Sequence, residues 1–82
     1  MVNWTKFDPA SFEFEFDEDK LEAHGLTPDE VAQCFWNAFE VRCNKSFHDR
    51  YQIVGRTDAG RALKLIVQVK SRVIRVITGW PI

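Results

Sequence analysis

Only two cysteines, Cys34 and Cys43, occur in these 82 residues, and neither forms a Cys-x-x-Cys pair or has histidine at ligand spacing. That excludes a disulfide framework and a zinc ribbon, and it points to reduced thiols, with Cys34 on the buried side of a helix. His24 and His48 are too far apart for a metal motif, and no His-Glu-x-x-His pattern exists, so neither metal nor cofactor is expected. No glycine-rich phosphate loop and no Gly-x-Ser-x-Gly elbow is present. No apolar run approaches the length of a membrane span, and Met1 to Lys6 lacks the apolar stretch of a signal peptide. A cytoplasmic location without membrane attachment is therefore expected. What the chain does hold is 45% hydrophobic residues, with seven Phe and three Trp. That suffices for one modest core, so residues 1–82 are expected to form a single domain.

Charge is divided along the chain. Residues 1–40 carry two lysines against ten carboxylates, whereas residues 41–82 carry nine cations against two carboxylates. The formal net charge of −1 hides this polarity. Two accounts compete: the basic half meets an anionic partner, or the two halves pair with each other in the fold.

Local patterns give an α+β order of β-α-α-β-β-β-β. Ser11 to Phe16 alternates three Phe with two Glu, the period of a half-buried strand, after a lead-in over 1–10. Residues 17–24 hold a short helix stopped at Gly25. Thr27-Pro28-Asp29-Glu30 is a capping box with proline at the first helical position. The Val31, Cys34, Phe35 and Ala38 stripe then predicts a helix ending near Asn37. Strands are predicted at 39–43, 47–56, 61–70 and 72–78, with a hairpin turn at Thr57-Asp58-Ala59-Gly60 and a tight connection at Ser71. Gly79-Trp80-Pro81-Ile82 is expected to break the last strand. The result is two short helices on one face of a mostly antiparallel sheet of four to five strands.

Strand alternation sends His48, Arg50, Gln52, Lys64, Gln68, Lys70 and Arg75 to the face without helices. A basic, amide-bearing sheet surface suits a phosphate backbone, so RNA contact is assigned to His48, Lys64, Lys70 and Arg75. Glu13 and Glu15 would share that face if the first strand joins the sheet, making cross-strand pairs with Lys64 or Arg75. Exposed aromatics for stacking bases look scarce there. Ile66, Val73 and Ile77, with Trp80, would alternatively serve as a protein-docking surface.

The segments Phe14-Glu15-Phe16-Asp17-Glu18-Asp19-Lys20, His24-Gly25-Leu26-Thr27, Glu30-Val31-Ala32 and Phe35 resemble the opening of BrnT-type toxins. Those show an aromatic-Asp-x-x-Lys strand end, a Lys-His-Gly-Val turn and a Glu-Ala-x-x-x-Phe helix. Asp49-Arg50-Tyr51, Ile53-Val54-Gly55-Arg56, Gly60-Arg61 and Ile74-Arg75-Val76-Ile77-Thr78 extend the resemblance over about residues 12–78. That family belongs by fold with the RelE-like ribonucleases of bacterial toxin–antitoxin pairs. The resemblance implies a metal-independent ribonuclease held inactive by a cognate antitoxin. It implies catalytic roles for Lys20, His24, Asp49 and Arg50, with Arg56 and Arg75 on phosphate. Trp80 stands about where the family carries an Arg, and the usual basic C-terminal extension does not follow, so impaired catalysis is expected.

Overall fold

Both predicted helix boundaries follow from local hydrogen bonds. The computed structural model describes residues 4–43 and 49–82. Helix α1 (Glu18–Ala23) is capped by Asp17, whose carboxylate accepts the Lys20 N–H. It ends in a Schellman closure: Gly25, at φ +73°, donates to the Glu22 carbonyl and Leu26 donates to that of Leu21. Helix α2 (Pro28–Trp36) opens on the expected box. Thr27 Oγ1 accepts the Glu30 N–H at 3.2 Å and lies 3.3 Å from Glu30 Oε1. Asn37 is its C-cap, so Ala38 falls outside the helix and is exposed rather than part of the buried stripe.

Five strands, β1 (Glu13–Phe16), β2 (Glu40–Cys43), β3 (Arg50–Arg56), β4 (Ala62–Lys70) and β5 (Val73–Pro81), form one sheet in the order β1-β5-β4-β3-β2. Among the described strands only the β1–β5 pair is parallel. The α+β architecture is therefore as expected. The predicted 47–56 strand begins at Arg50, and Phe47 and His48 lie outside the described residues.

One expectation is corrected, and the lead-in, which the sequence left open, takes a defined structure. Trp4–Lys6 and Pro9–Ser11 are single 3₁₀ turns, and Trp4 and Phe7 pack against the core. The last strand does not stop at Thr78. It continues through Gly79 and Trp80 to Pro81, paired with Leu63 to Leu65. Glycine succeeds there because its Cα faces the core, where an added Cβ would lie 2.6 Å from Leu65 Cδ2 and 3.4 Å from Leu26 Cδ1. The pairing of β4 with β5 is shifted between Ile66 and Val67, a bulge that leaves Ile77 without a partner.

One face of the sheet buries Ile53, Leu63, Leu65, Val67, Ile74 and Val76 against Leu21, Leu26, Val31, Cys34 and Phe35 of the helical layer. Phe35 is the largest side chain buried in full, with Phe14 at 5.0 Å and Phe39 at 5.7 Å between ring centroids. Burying a Phe of this kind contributes about 1.5–3 kcal/mol.

Candidate nucleic-acid interface

No helix among the described residues packs on the other face. Alternation and register place Arg42, Arg50, Arg56, Lys64, Lys70 and Arg75 there, against the carboxylates of Glu13, Glu15 and Glu40. One row across the sheet reads Glu15, Arg75, Gln68, Arg50, each beside the next on neighbouring strands. With strands about 4.8 Å apart, Arg75 and Arg50 stand roughly 10 Å from each other with an amide between them.

Register alone does not pair the carboxylates of this face with its cations. Glu15 neighbours Arg75 in register, yet among the described residues no ion pair joins them. Ion pairs among the described residues join Lys20 to Asp17 at 3.9 Å and Arg61 to Glu30 at 3.1 Å. Of these, the second links the acidic half to the basic half. Such surface pairs contribute about 0–1 kcal/mol each.

Asp49 precedes β3 and takes a hydrogen bond from Gln68 Nε2 at 2.7 Å. That bond holds its carboxyl below the usual carboxylate range, helped by the nearby Arg50 and Lys70 charges. A carboxylate so held stays charged at neutral pH and fixes the Gln68 amide between the two arginines. It is a weak proton acceptor, because efficient acid–base groups titrate near the working pH. The Val69 N–H also donates to the Asp49 carbonyl, tying this corner to β4.

A second group lies farther along the same face. Trp80 is paired with Lys64, whose Nζ sits 6.0 Å from the centre of the indole ring. The exposed His24, which caps α1, brings its imidazole 6.2 Å from the same ring. Lys64 and Gln68 are four residues apart on β4, so the Trp80 group and the arginine row are separated by about 13 Å along the strand. The four residues assigned catalysis by resemblance are accordingly dispersed. Asp49 and Arg50 share one corner, His24 stands at the Trp80 group, and Lys20 is engaged with Asp17 on the surface of α1.

Of the residues assigned to RNA contact, Lys64, Lys70 and Arg75 project from the uncovered face, with Arg75 and Lys70 exposed and Lys64 half-buried. Arg56 ends β3 and donates from Nη1 to the Gly60 carbonyl at 3.1 Å, which holds it over the hairpin turn. His48 lies outside the described residues. Trp80, which the sequence reading offered only for protein docking, is a half-buried aromatic on the cationic face beside Lys64. Its signal in the sequence was Gly79, whose missing side chain lets a strand continue over the packed Leu65.

Among the described residues, no three His, Cys, Asp or Glu side chains cluster as a metal site, and no helix is long and apolar enough to cross a membrane. Comparison of the chain with protein-family models, curated proteins and solved structures finds no match.

Proposed function

We propose that this protein binds single-stranded RNA across the uncovered sheet face, as a relative of BrnT-type proteins that binds without cleaving. The observation that carries the reading is the placement of Trp80, beside Lys64, on the face that bears Arg50, Gln68 and Arg75. A phosphate-binding row and an aromatic platform about two nucleotides away are the two parts that sheet-face binders of single strands combine. Arginines give directed contacts to phosphate oxygens, and the Trp80 ring offers a base a stacking surface whose neighbouring cation adds electrostatic attraction.

Cleavage is not part of the proposal. Attack by a ribose 2′-hydroxyl needs a base, an acid and cations around one phosphate. Here His24 stands at one group and Arg50 at the other, and Asp49 is held in its charged form.

The test is binding of a fluorescent single-stranded RNA over a salt series. With about four phosphates neutralised, the slope of log affinity against log salt is expected near −3. Arg75→Ala and Lys64→Ala each reduce that slope by less than one unit without changing sequence preference. Trp80→Ala weakens binding by about 1–3 kcal/mol with little change in slope, and Trp80→Phe recovers part of it. Absence of binding at low salt overturns the proposal. So does binding indifferent to Trp80. Cleavage of the RNA abolished by His24→Ala would restore the ribonuclease reading instead.

A further inference from the structure

The edge of the sheet at β2 offers a second surface. Strand β2 pairs with β3 on one side, and among the described residues no strand pairs with its outer edge. Proteins usually protect such an edge with lysines, proline or a bulge, because its free N–H and C=O groups template further pairing. This one carries Glu40-Val41-Arg42-Cys43. Glu40 and Arg42 are exposed on the uncovered face, and Val41 and Cys43 lie on the helix side. Directly beside the strand on that side is an open groove of about 490 Å³. Trp4, Phe7, Trp36, Phe39 and Val41 contribute to its walls, and Trp36 is 64% exposed.

We propose that the occupant of this edge is a second copy of the chain, joined β2 to β2 in antiparallel register about a two-fold axis at Val41. The charge pattern selects both partner and register. For the two sheets to continue with their helical layers on the same side, the axis must pass through a residue, since a one-residue slip turns every side chain to the opposite face. Centred on Arg42, the pairing sets two arginines against each other. Centred on Val41, it sets Glu40 of each copy opposite Arg42 of the other, twice, on the uncovered face. Opposite charges directly across antiparallel strands stabilise the pair and like charges destabilise it. On the helix side the same register brings Val41 to Val41 and Cys43 to Phe39 of the other copy. The two aromatic grooves then meet across the axis and cover Trp36, giving the contact the apolar centre that strand pairing by itself lacks. The interface is isologous and closed, and both cationic faces lie on one side of a continuous ten-stranded sheet.

The experiment is sedimentation equilibrium of the intact protein over a wide concentration range, with circular dichroism confirming the fold of each variant. Wild type is expected to dimerise. Arg42→Glu and Glu40→Arg each replace two attractive contacts with two repulsive ones and should weaken the dimer by about tenfold or more. The double variant Glu40→Arg/Arg42→Glu restores the pairing and should return to near wild-type association. An independent readout is maleimide labelling of Cys43, exposed in the single chain and covered in the dimer. Its rate should fall as concentration rises, and buried Cys34 should stay unlabelled throughout. A wild-type monomer at every concentration overturns the proposal. A dimer indifferent to the single variants, or a double variant no better than either, places the contact elsewhere and overturns it equally.

Discussion

Gly55→Ala is the substitution that tests most directly how the helical layer sits on the sheet. Gly55 is buried in β3 on the core side, where α2 crosses closest. A methyl group added there would lie 3.0 Å from Cys34 Cβ, 3.3 Å from the Cys34 carbonyl oxygen and 3.3 Å from Phe39 Cβ. All three are backbone atoms or the first side-chain carbon, so no rotamer change can relieve the contact. Helix α2 and the Phe39 segment must instead retreat from the sheet by a few tenths of an ångström. Overpacking of this kind costs about 1–3 kcal/mol. Replacing glycine inside a strand returns about 0.5–1 kcal/mol through the unfolded chain. The net expectation is a loss of up to about 2.5 kcal/mol, centred near ~1 kcal/mol. In urea, with a slope near 1 kcal/mol/M for a chain this small, the midpoint should fall by about 1 M at unchanged slope. Cys34→Gly removes the nearest of the three atoms, so the double variant should be less destabilised than the two single losses added together. A stabilising Gly55→Ala would refute the close approach of α2 to β3 on which the placement of Phe35 and Phe39 depends.

Other outcomes follow from the same packing. Phe35→Ala empties a site closed by Phe7, Phe14 and Phe39 and should cost about 3–5 kcal/mol in a denaturant melt, whereas a near-neutral result would contradict its burial. Ser71 holds φ +53° in the β4–β5 turn, a conformation that costs an L-residue about 1–2 kcal/mol, so Ser71→Gly should raise stability by up to about 1 kcal/mol after its entropy loss. Burial, with the Glu30 charge adding to it, pushes the Cys34 thiol from 9.0 up to about 11. The unfolded chain therefore loses this proton first, and between those pH values stability falls as pH rises, by at most about 1.4 kcal/mol per unit. Cys34→Ala should remove that part of the alkaline slope, visible as a difference between the two proteins' melting profiles from pH 8 to 11.

Features governed by neighbours in the chain were legible in the sequence. The Thr27 box, the Gly25 stop and the Thr57 to Gly60 turn each depend on hydrogen bonds spanning three to five residues, and each forms where the residue types placed it. Period-two alternation also sorted β3 and β4 correctly between core and open faces. The lead-in was not legible, because Trp4 is fixed by Tyr51 and Phe39, partners that no local pattern connects to it. The role of Gln68 was hidden for the same reason: its amide is oriented by Asp49, nineteen residues away. Motif resemblance grouped Lys20, His24, Asp49 and Arg50, but proximity among them depends on where α1 ends relative to β3, which only the fold determines.

The position of Trp80 shows how one irregular residue can decide what a surface does. Counting by twos from Arg75, strict alternation would send Ile77, Gly79 and Pro81 to the uncovered face and Trp80 into the core. The pairing shift opposite Ile66 and Val67 inserts Ile77 as an unpaired residue and reverses the count beyond it. Gly79 then turns inward onto Leu65 and Leu26, where no other residue would fit without displacement, and Trp80 turns outward beside Lys64. Without the bulge, the indole would compete with Leu65 for space under α1, and the sheet face would carry cations without an aromatic. With it, the same strand places Arg75 at one end of the uncovered face and Trp80 at the other, the arrangement on which the proposed RNA binding rests. The bulge and the glycine work as a pair, since the reversed count is tolerable only if the residue brought inward has no side chain. If the proposed binding occurs on this face, it depends on two positions, Ile77 and Gly79, whose own side chains need touch no ligand.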